Sequence, residues 1–213
     1  MLAVNIKKII DSVFPPSCVI CNSVGTYLCE NCEPSLKVVS KACCVICGVP
    51  LNSSLSHACS ACFEHKPEYD YHKSLFTYSQ HVQKLIHDFK YNEKFWVLSF
   101  IEERFADLAN SFSDVDVVVP VPLHRNRLQQ RGFNQSGLFA KTWARYLKKP
   151  LKKNLKRIVD TPSQTGFRRD ERLNNLKNAF AITGSSLRGK RVLLVDDVHT
   201  TGATLSMAAR QLK

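Results

Sequence analysis

The chain has 213 residues and a mass of 24.1 kDa, enough for one ordinary domain and a small module. Hydrophobic residues make up 44% and charged residues 23%, so the chain can bury a core and need not be disordered. No apolar run approaches the roughly 18 residues that a membrane-spanning helix requires, so we expect no membrane insertion. Nine cysteines without a continuous apolar leader predict metal or thiol chemistry in the cytoplasm rather than disulfides formed after export.

The positive charge is concentrated in one part of the chain. Residues 121–177 contain 15 Lys or Arg and three acidic residues, whereas the remaining chain has 15 residues of each sign, so this segment carries the whole net charge of +12. Such a segment either solubilises a surface or binds anions such as phosphates. Because it lies beside the motifs described below, we favour an anion site.

The pattern along the chain predicts three parts. Residues 1–15 have the periodicity of a short amphipathic helix, which Pro15 and Pro16 would end. Residues 16–66 hold every cysteine and few large apolar side chains. From residue 67 onward, aromatic residues and helical periodicity predict a larger domain over 67–213.

The elements of this larger domain change from helical to α/β along the chain. We expect a strand or hairpin over residues 69–78 and helices around 82–89 and 100–108. The following elements are a strand over 117–119, a helix over 134–149, a flexible loop over 160–177, strands over 179–183 and 191–195, and a helix from 203. Alternation of this kind predicts an α/β fold with a doubly wound parallel sheet.

Eight of the nine cysteines form four Cys-x-x-Cys pairs: Cys18/Cys21, Cys29/Cys32, Cys44/Cys47 and Cys59/Cys62. The tetrapeptide Cys-Val-Ile-Cys occurs twice, and a second pair follows each copy after seven and eleven intervening residues. This duplicated unit predicts two structural Zn²⁺ sites of four cysteines each. Metal ligation would supply the folding free energy that so few apolar residues cannot.

The spacing leaves the connection between pairs open. Sequential pairing is simplest, but a crossed arrangement of the two units fits the same sequence. We expect Cys43 to be a filler beside Cys44, and His57 and His65 to be surface residues, because eight thiolates already complete two sites.

The most informative segment is residues 192–204. An apolar strand ends in two carboxylates, Asp196 and Asp197, and a hydroxyl-rich turn containing Gly202 leads into a helix. Open parallel sheets bind ligands at the carboxyl ends of their strands, and a helix start is an anion site. Two adjacent carboxylates would bind a sugar diol or hold Mg²⁺ near a diphosphate. We expect His199, within this motif, to serve packing rather than catalysis.

This segment resembles the phosphoribosyl-pyrophosphate (PRPP) signature of the type I phosphoribosyltransferases. The resemblance implies that Asp196 and Asp197 are the catalytic acidic pair that contacts the ribose hydroxyls. It also implies that the loop around the 5′-phosphate consists of Thr200, Thr201, Gly202, Ala203 and Thr204. We call these last five residues the 200–204 loop.

Two further stretches extend the resemblance over nearly the whole chain. Residues 120–127 are followed by Arg131-Gly132-Phe133-Asn134-Gln135-Ser136, and the basic stretch 160–177 follows later. With the paired cysteines, these strings are similar to the ComF/GntX family of competence-associated, phosphoribosyltransferase-like proteins. The resemblance implies a small double zinc-ribbon module before a phosphoribosyltransferase-like domain, with a pyrophosphate loop at 122–127 and a closing lid at 160–177. The arginines expected to bind phosphate are Arg125, Arg127, Arg131, Arg168 and Arg169.

The resemblance also implies a cellular role in DNA uptake, transformation or the use of external DNA. The leading hypothesis is a protein that binds PRPP or a ribose 5-phosphate with Mg²⁺, and that transfers a phosphoribosyl group if it is catalytic. Alternatives are a non-catalytic single-stranded-DNA-binding factor and a zinc-organised adaptor for a DNA-uptake helicase. The sequence ends nine residues after Thr204, so we expect the domain to lack a C-terminal strand.

Overall fold

The computed structural model describes residues 15–39, 42–160, 178–184 and 187–213, and all structural statements below refer to these ranges. The predicted N-terminal helix over 1–15 and the predicted flexible loop over 160–177 lie outside them, apart from one end residue of each. Arg168 and Arg169 therefore stay predictions.

The chain divides into two compact units. The first comprises Met1–Val38 and Phe76–Val97, and the second comprises Val39–Leu75 and Leu98–Lys213. Each unit contains one of the two groups of four paired cysteines. The division into a cysteine module over 16–66 and a larger domain over 67–213 stays a prediction.

Seven α-helices, two short 3-10 helices (Glu33–Ser35 and Asn110–Phe112) and four strands lie within the described ranges. The helices are α1 (Ser60–Glu64), α2 (Gln80–Tyr91), α3 (Trp96–Glu102), α4 (Ala106–Ala109), α5 (Arg125–Arg131), α6 (Gln135–Leu147) and α7 (Ala203–Leu212). The strands are β1 (Val117–Pro120), β2 (Leu155–Arg157), β3 (Phe180–Ile182) and β4 (Val192–Val195). No helix in these ranges has the length and apolar character needed to cross a bilayer.

Helix α2 organises the first unit. It begins after Ser79, whose side chain accepts a hydrogen bond from the amide of Val82 and so satisfies one of the free amides at the helix start. Its buried face contains Val82, Leu85, Ile86 and Phe89, the apolar stripe that the sequence predicts. Phe89 is fully buried.

A parallel strand pair organises the second unit. Strands β1 and β4 pair in register from Val117 opposite Val192 to Pro120 opposite Val195, which confirms both predicted strands. Every residue of β1 is buried, as its unbroken β-branched run predicts. Helix α6 covers this pair, and its Trp143 stacks on Phe105 with ring centroids 3.8 Å apart.

A second, antiparallel pair joins β2 to β3, with Leu155 opposite Ile182. Strand β3 is predicted by the sequence, whereas β2 is not, because Lys156 and Arg157 interrupt any apolar pattern. Helix α7 packs beside this pair and shares a buried cluster with β1 and Phe180. The α/β character is thus confirmed, but in the described ranges the sheets are two small pairs, one parallel and one antiparallel.

Three other predictions about elements are wrong or only partly right. Residues 69–78 form no regular strand, and only an isolated bridge from Val38 to Phe76 occurs there. The helix expected around 100–108 is divided into α3 and α4, because Arg104 and Phe105 hydrogen-bond three residues back and tighten the turn. The predicted pyrophosphate loop at 122–127 is a loop only to His124, because α5 begins at Arg125.

Candidate functional site

The eight paired cysteines form two clusters. The sulfur atoms of Cys18, Cys21, Cys29 and Cys32 lie within 4.8 Å of one another, and so do those of Cys44, Cys47, Cys59 and Cys62. Pairing is therefore sequential. The Sγ atoms of Cys21 and Cys29 are 3.7 Å apart, as are those of Cys47 and Cys59. Tetrahedral Zn²⁺ with Zn–S bonds of about 2.3 Å separates its sulfur ligands by about 3.8 Å, so the donor set fits zinc.

Backbone amides prepare the first cysteine of each cluster for metal binding. Cys44 Sγ accepts hydrogen bonds from the amides of Ile46 and Cys47, both at 3.4 Å, and of Cys59 at 3.3 Å. Burial alone would raise the pKa of Cys44, but these hydrogen bonds outweigh it and lower the pKa to about 6. The same balance lowers the pKa of Cys18 to about 6. Each cluster thus offers a thiolate, which is the form that binds metal.

The leftover residues of the cysteine segment lie outside both clusters, as predicted. Cys43 is buried and its backbone forms a bridge with Pro50. His57 and His65 are exposed.

The carboxyl ends of β1 and β4 define a shared edge in the second unit. The amide of Val121 donates to the carbonyl of Val195 at 2.9 Å, which continues the parallel pairing to the last strand residue. The loop at 122–124 and the acidic pair therefore leave the sheet side by side. This edge is where open α/β sheets bind ligands.

Asp196 is held in place by its neighbours. Its Oδ1 accepts a hydrogen bond from the hydroxyl of Ser136 at 2.8 Å and another from the amide of Asp197 at 2.9 Å. Ser136 is buried at the start of α6. The Asn134 side-chain amide donates to the carbonyl of Val121 at 3.0 Å, so it connects the same helix start to the end of β1. Sequence analysis assigns no role to Ser136, although the hydroxyl ends the Arg-Gly-Phe-Asn-Gln-Ser string.

The 200–204 loop turns sharply into α7. Gly202 has φ +76°, a left-handed conformation that glycine adopts without strain, and its carbonyl accepts from the amide of Ser206. A Cβ on Gly202 would lie 2.8 Å from His199 Nε2 and 2.9 Å from Tyr69 Oη, so space also requires glycine. Thr200 is exposed, Thr201 and Thr204 are half-buried, and Ala203 is buried.

Four arginines lie on α5, which follows the loop from β1, and on β2: Arg125, Arg127, Arg131 and Arg157. Arg125 is exposed and Arg127 half-buried on α5, and Arg131 donates to Gln135 Oε1 at 3.0 Å. Arg157 lies in β2. Burial and the positive charge of Arg127 lower its pKa, whereas the negative charges of Asp196 and Asp160 raise it. Arg157 therefore lies within electrostatic range of both Arg127 and Asp196. Sequence analysis missed Arg157, because β2 has no apolar pattern that would place it at the sheet.

An aromatic cluster lies beside the 200–204 loop. The His72 ring stacks on the His199 ring with centroids 4.0 Å apart and planes at 20°. The Tyr69 hydroxyl lies 3.2 Å from His199 Nε2. Burial lowers the pKa of both histidines, that of His72 to about 3, so both imidazoles are neutral at neutral pH. His199 thus makes the packing contacts that we expect, but no sequence signal identifies Tyr69 and His72 as its partners.

Comparison with known proteins gives a consistent result. The double zinc ribbon domain family matches residues 9–63. Competence protein F of Haemophilus influenzae is 33% identical over 195 residues, which cover 87% of this chain and 84% of that protein. Competence protein ComFC of Bacillus subtilis is 29% identical over 196 residues, covering 87% and 77%. DNA utilization protein YhgH of Escherichia coli K12 is 29% identical over 210 residues, covering 93% and 91%.

The two four-cysteine clusters and the small parallel sheet define an α/β protein with a double zinc ribbon. Similarity at this level over most of both chains places it in a family: the chain belongs to the competence protein F family, also called the ComF family.

Proposed function

We propose that the protein binds PRPP or a related ribose 5-phosphate, together with Mg²⁺, in a phosphoribosyltransferase-like domain. We also propose that it acts in the cytoplasm in the uptake or use of external DNA. The names of its relatives indicate such a role for those proteins. One observation carries the ligand proposal. Asp196 and Asp197 lie at the carboxyl end of β4, and the 200–204 loop leads from them through Gly202 into α7.

Each part of this edge has a chemical use in the proposal. The amides of the first turn of α7, with the positive end of the helix dipole, would hold the 5′-phosphate. The acidic pair would accept hydrogen bonds from the ribose hydroxyls, and carboxylate oxygens are also suitable ligands for Mg²⁺. Ser136 fixes the orientation of Asp196 through its hydrogen bond.

The arginines would bind the diphosphate. Arg125, Arg127 and Arg131 lie on α5, which directly follows the loop from β1, and Arg157 is within electrostatic range of Arg127. Guanidinium groups suit this task because they are always charged and can bind phosphate with two hydrogen bonds. A transfer reaction here would break the bond from the anomeric carbon to the diphosphate. Its rate would then depend on positioning and on stabilisation of the charge on the leaving group.

A thermal-shift titration with PRPP and Mg²⁺ tests the proposal. We expect the wild-type protein to gain stability, by about 2.7 kcal/mol at a ligand concentration 100 times Kd. The Asp196→Asn/Asp197→Asn variant should gain none, because it cannot bind Mg²⁺ or the diol with the same strength. A matched Asp107→Asn/Asp114→Asn variant, which changes two exposed aspartates, should behave like the wild type. Equal shifts in all three proteins would contradict the proposed site.

A second candidate function is binding of single-stranded DNA. The observation that favours it is a set of exposed basic side chains in the basic segment: Arg125, Lys141, Lys148, Lys152, Lys153 and Lys156. Lys and Arg contacts to phosphates release counterions and so make binding depend steeply on salt.

We expect single-stranded DNA affinity to fall as salt rises, with a log–log slope of about −0.7 for each phosphate neutralised. The Lys152→Ala/Lys153→Ala variant should bind more weakly and with a shallower slope. The Arg188→Ala/Lys190→Ala variant removes the same charge from exposed residues outside the basic segment and should change affinity much less. Fluorescence anisotropy at several salt concentrations measures this. If the affinity does not change with salt concentration, the basic segment (residues 121–177) is only a solubilising surface.

A further inference from the structure

Residues 68–72 form an irregular segment of the second unit that contacts α7 at more than one point. The amide of Glu68 donates to the hydroxyl of Ser206, a buried residue of α7, at 3.0 Å. Asp70 accepts from the Lys213 ammonium group at 2.8 Å, just after the end of that helix. The segment is thus attached to the helix that the 200–204 loop begins.

The end of this segment also contacts the second cysteine cluster. The amide of His72 donates to the carbonyl of Ile46 at 2.7 Å, and Ile46 lies between the ligands Cys44 and Cys47. The backbone of Gly48 is so close that a Cβ there would lie 2.9 Å from the carbonyl oxygen of His72. The position of His72 therefore depends on the shape of this cysteine turn.

The side chains of the same segment hold the 200–204 loop. The His72 ring covers one face of the His199 ring, and the Tyr69 hydroxyl reaches His199 Nε2. Gly202 lies against both His199 Nε2 and Tyr69 Oη. Contacts therefore run without interruption from the Cys44–Cys47 turn through His72 and His199 to the start of α7.

We infer that Tyr69 and His72 are positioning residues of the 200–204 loop and that zinc in the second cluster keeps them in place. The inference rests on the proposed function, since it states what controls ribose-phosphate binding at that site. Loss of this zinc removes the restraint on the turn, so His72 loses its backbone partner and His199 loses its stacking face. A loop that spends less time in its binding conformation binds its ligand proportionately more weakly.

Hydrogen exchange of the full-length, zinc-loaded protein tests the positioning step without any ligand. In the His72→Ala variant, the amide of Ser206, which donates to the carbonyl of Gly202, should exchange about tenfold faster. The His72→Phe variant keeps a flat ring at this position and should restore slow exchange. The His57→Ala variant removes an exposed histidine of the same cysteine segment and should have no effect. The amides of Val192–Val195 in β4 report on global unfolding and should be unchanged in all variants.

Binding of ribose 5-phosphate tests the role of zinc. The Cys59→Ser variant, which disrupts the second cluster, should bind about tenfold more weakly than the wild type. The Cys29→Ser variant makes the same change in the first cluster, which belongs to the other compact unit, and should stay within about twofold. Because coupling between binding affinities is reciprocal, ribose 5-phosphate should raise the concentration of a colorimetric chelator needed to remove one zinc ion at equilibrium. That ion should be the one missing from Cys59→Ser.

The outcomes separate the inference from the proposed function. Unchanged exchange of the Ser206 amide in His72→Ala, or equal binding by the two cysteine variants, overturns the inference even where the wild type binds ribose 5-phosphate. A wild type that does not bind ribose 5-phosphate contradicts the proposed function. In that case the exchange experiment still decides whether His72 positions the loop.

Discussion

Replacing Cys44 by serine should reduce the zinc content of the protein from two ions to one and unfold the second cysteine cluster. Cys44 is fully buried, and three backbone amides point at its sulfur. Serine is a poor zinc ligand, and it would leave these amides and the other three thiols without the metal that joins them. Binding of structural zinc contributes about 10–16 kcal/mol to the folding of small zinc domains, so the expected loss is large.

The chain provides a matched control one residue away. Cys43 is also buried, but its sulfur belongs to neither cluster of the described residues. Cys43→Ser should keep both zinc ions and cost only the burial of a hydroxyl, about 1–3 kcal/mol. Elemental analysis and thermal unfolding measure both effects. Two zinc ions in Cys44→Ser, or one in Cys43→Ser, would show that the ligands are assigned wrongly.

Replacing Gly202 by alanine should both destabilise the protein and weaken its binding of ribose phosphate. A left-handed conformation costs a residue with a Cβ about 1–2 kcal/mol. At Gly202 the Cβ would also displace His199 and Tyr69, which we expect to cost a further 1–3 kcal/mol or so. The start of α7 would shift as a result, and the amides of its first turn would no longer point at the phosphate.

Gly189→Ala separates the two contributions. Gly189 has φ +72°, close to the +76° of Gly202, but no atom lies within 4 Å of its hypothetical Cβ. The Gly189→Ala variant should be destabilised by backbone strain alone and should bind ribose 5-phosphate normally. Urea denaturation and a ligand titration measure the two effects. Equal losses of stability and binding in both variants would rule out a special role for the contacts at Gly202.

Local patterns in the sequence predict much of the fold. The β-branched run before Pro120 and the apolar run before Asp196 predict both strands of the parallel pair. The apolar stripe predicts α2, and the cysteine spacing predicts the two metal clusters. Both signals can be read from the sequence because helical periodicity and metal ligation each act over short stretches of chain. The connection between cysteine pairs stays open in the sequence, since it depends on the backbone path and not on the spacing.

The elements that were missed have no apolar pattern. Helix α5 buries none of its residues, so periodicity cannot detect it, although Arg, Leu and Gln favour helix and Gly132 ends it in a left-handed conformation. Strand β2 carries two basic residues and is specified by its pairing with β3.

The candidate site shows the same division between local and distant signals. Asp196, Asp197 and the 200–204 loop form one continuous segment, and their chemistry can be read from the sequence. Ser136 and Tyr69 contribute through tertiary contacts, 60 residues from Asp196 and 130 residues from His199 respectively. Contacts over such separations depend on the whole fold, which a single sequence does not reveal.

The path of the chain through its two compact units has a consequence for how the protein is made. The first unit is complete once residue 97 has been synthesised, whereas the second begins at Val39 and continues to Lys213. Cysteines 44 to 62 therefore leave the ribosome well before the strands of their own unit. The second cluster can acquire its metal on a nascent chain. A shortage of zinc at that stage would delay the folding of the second unit.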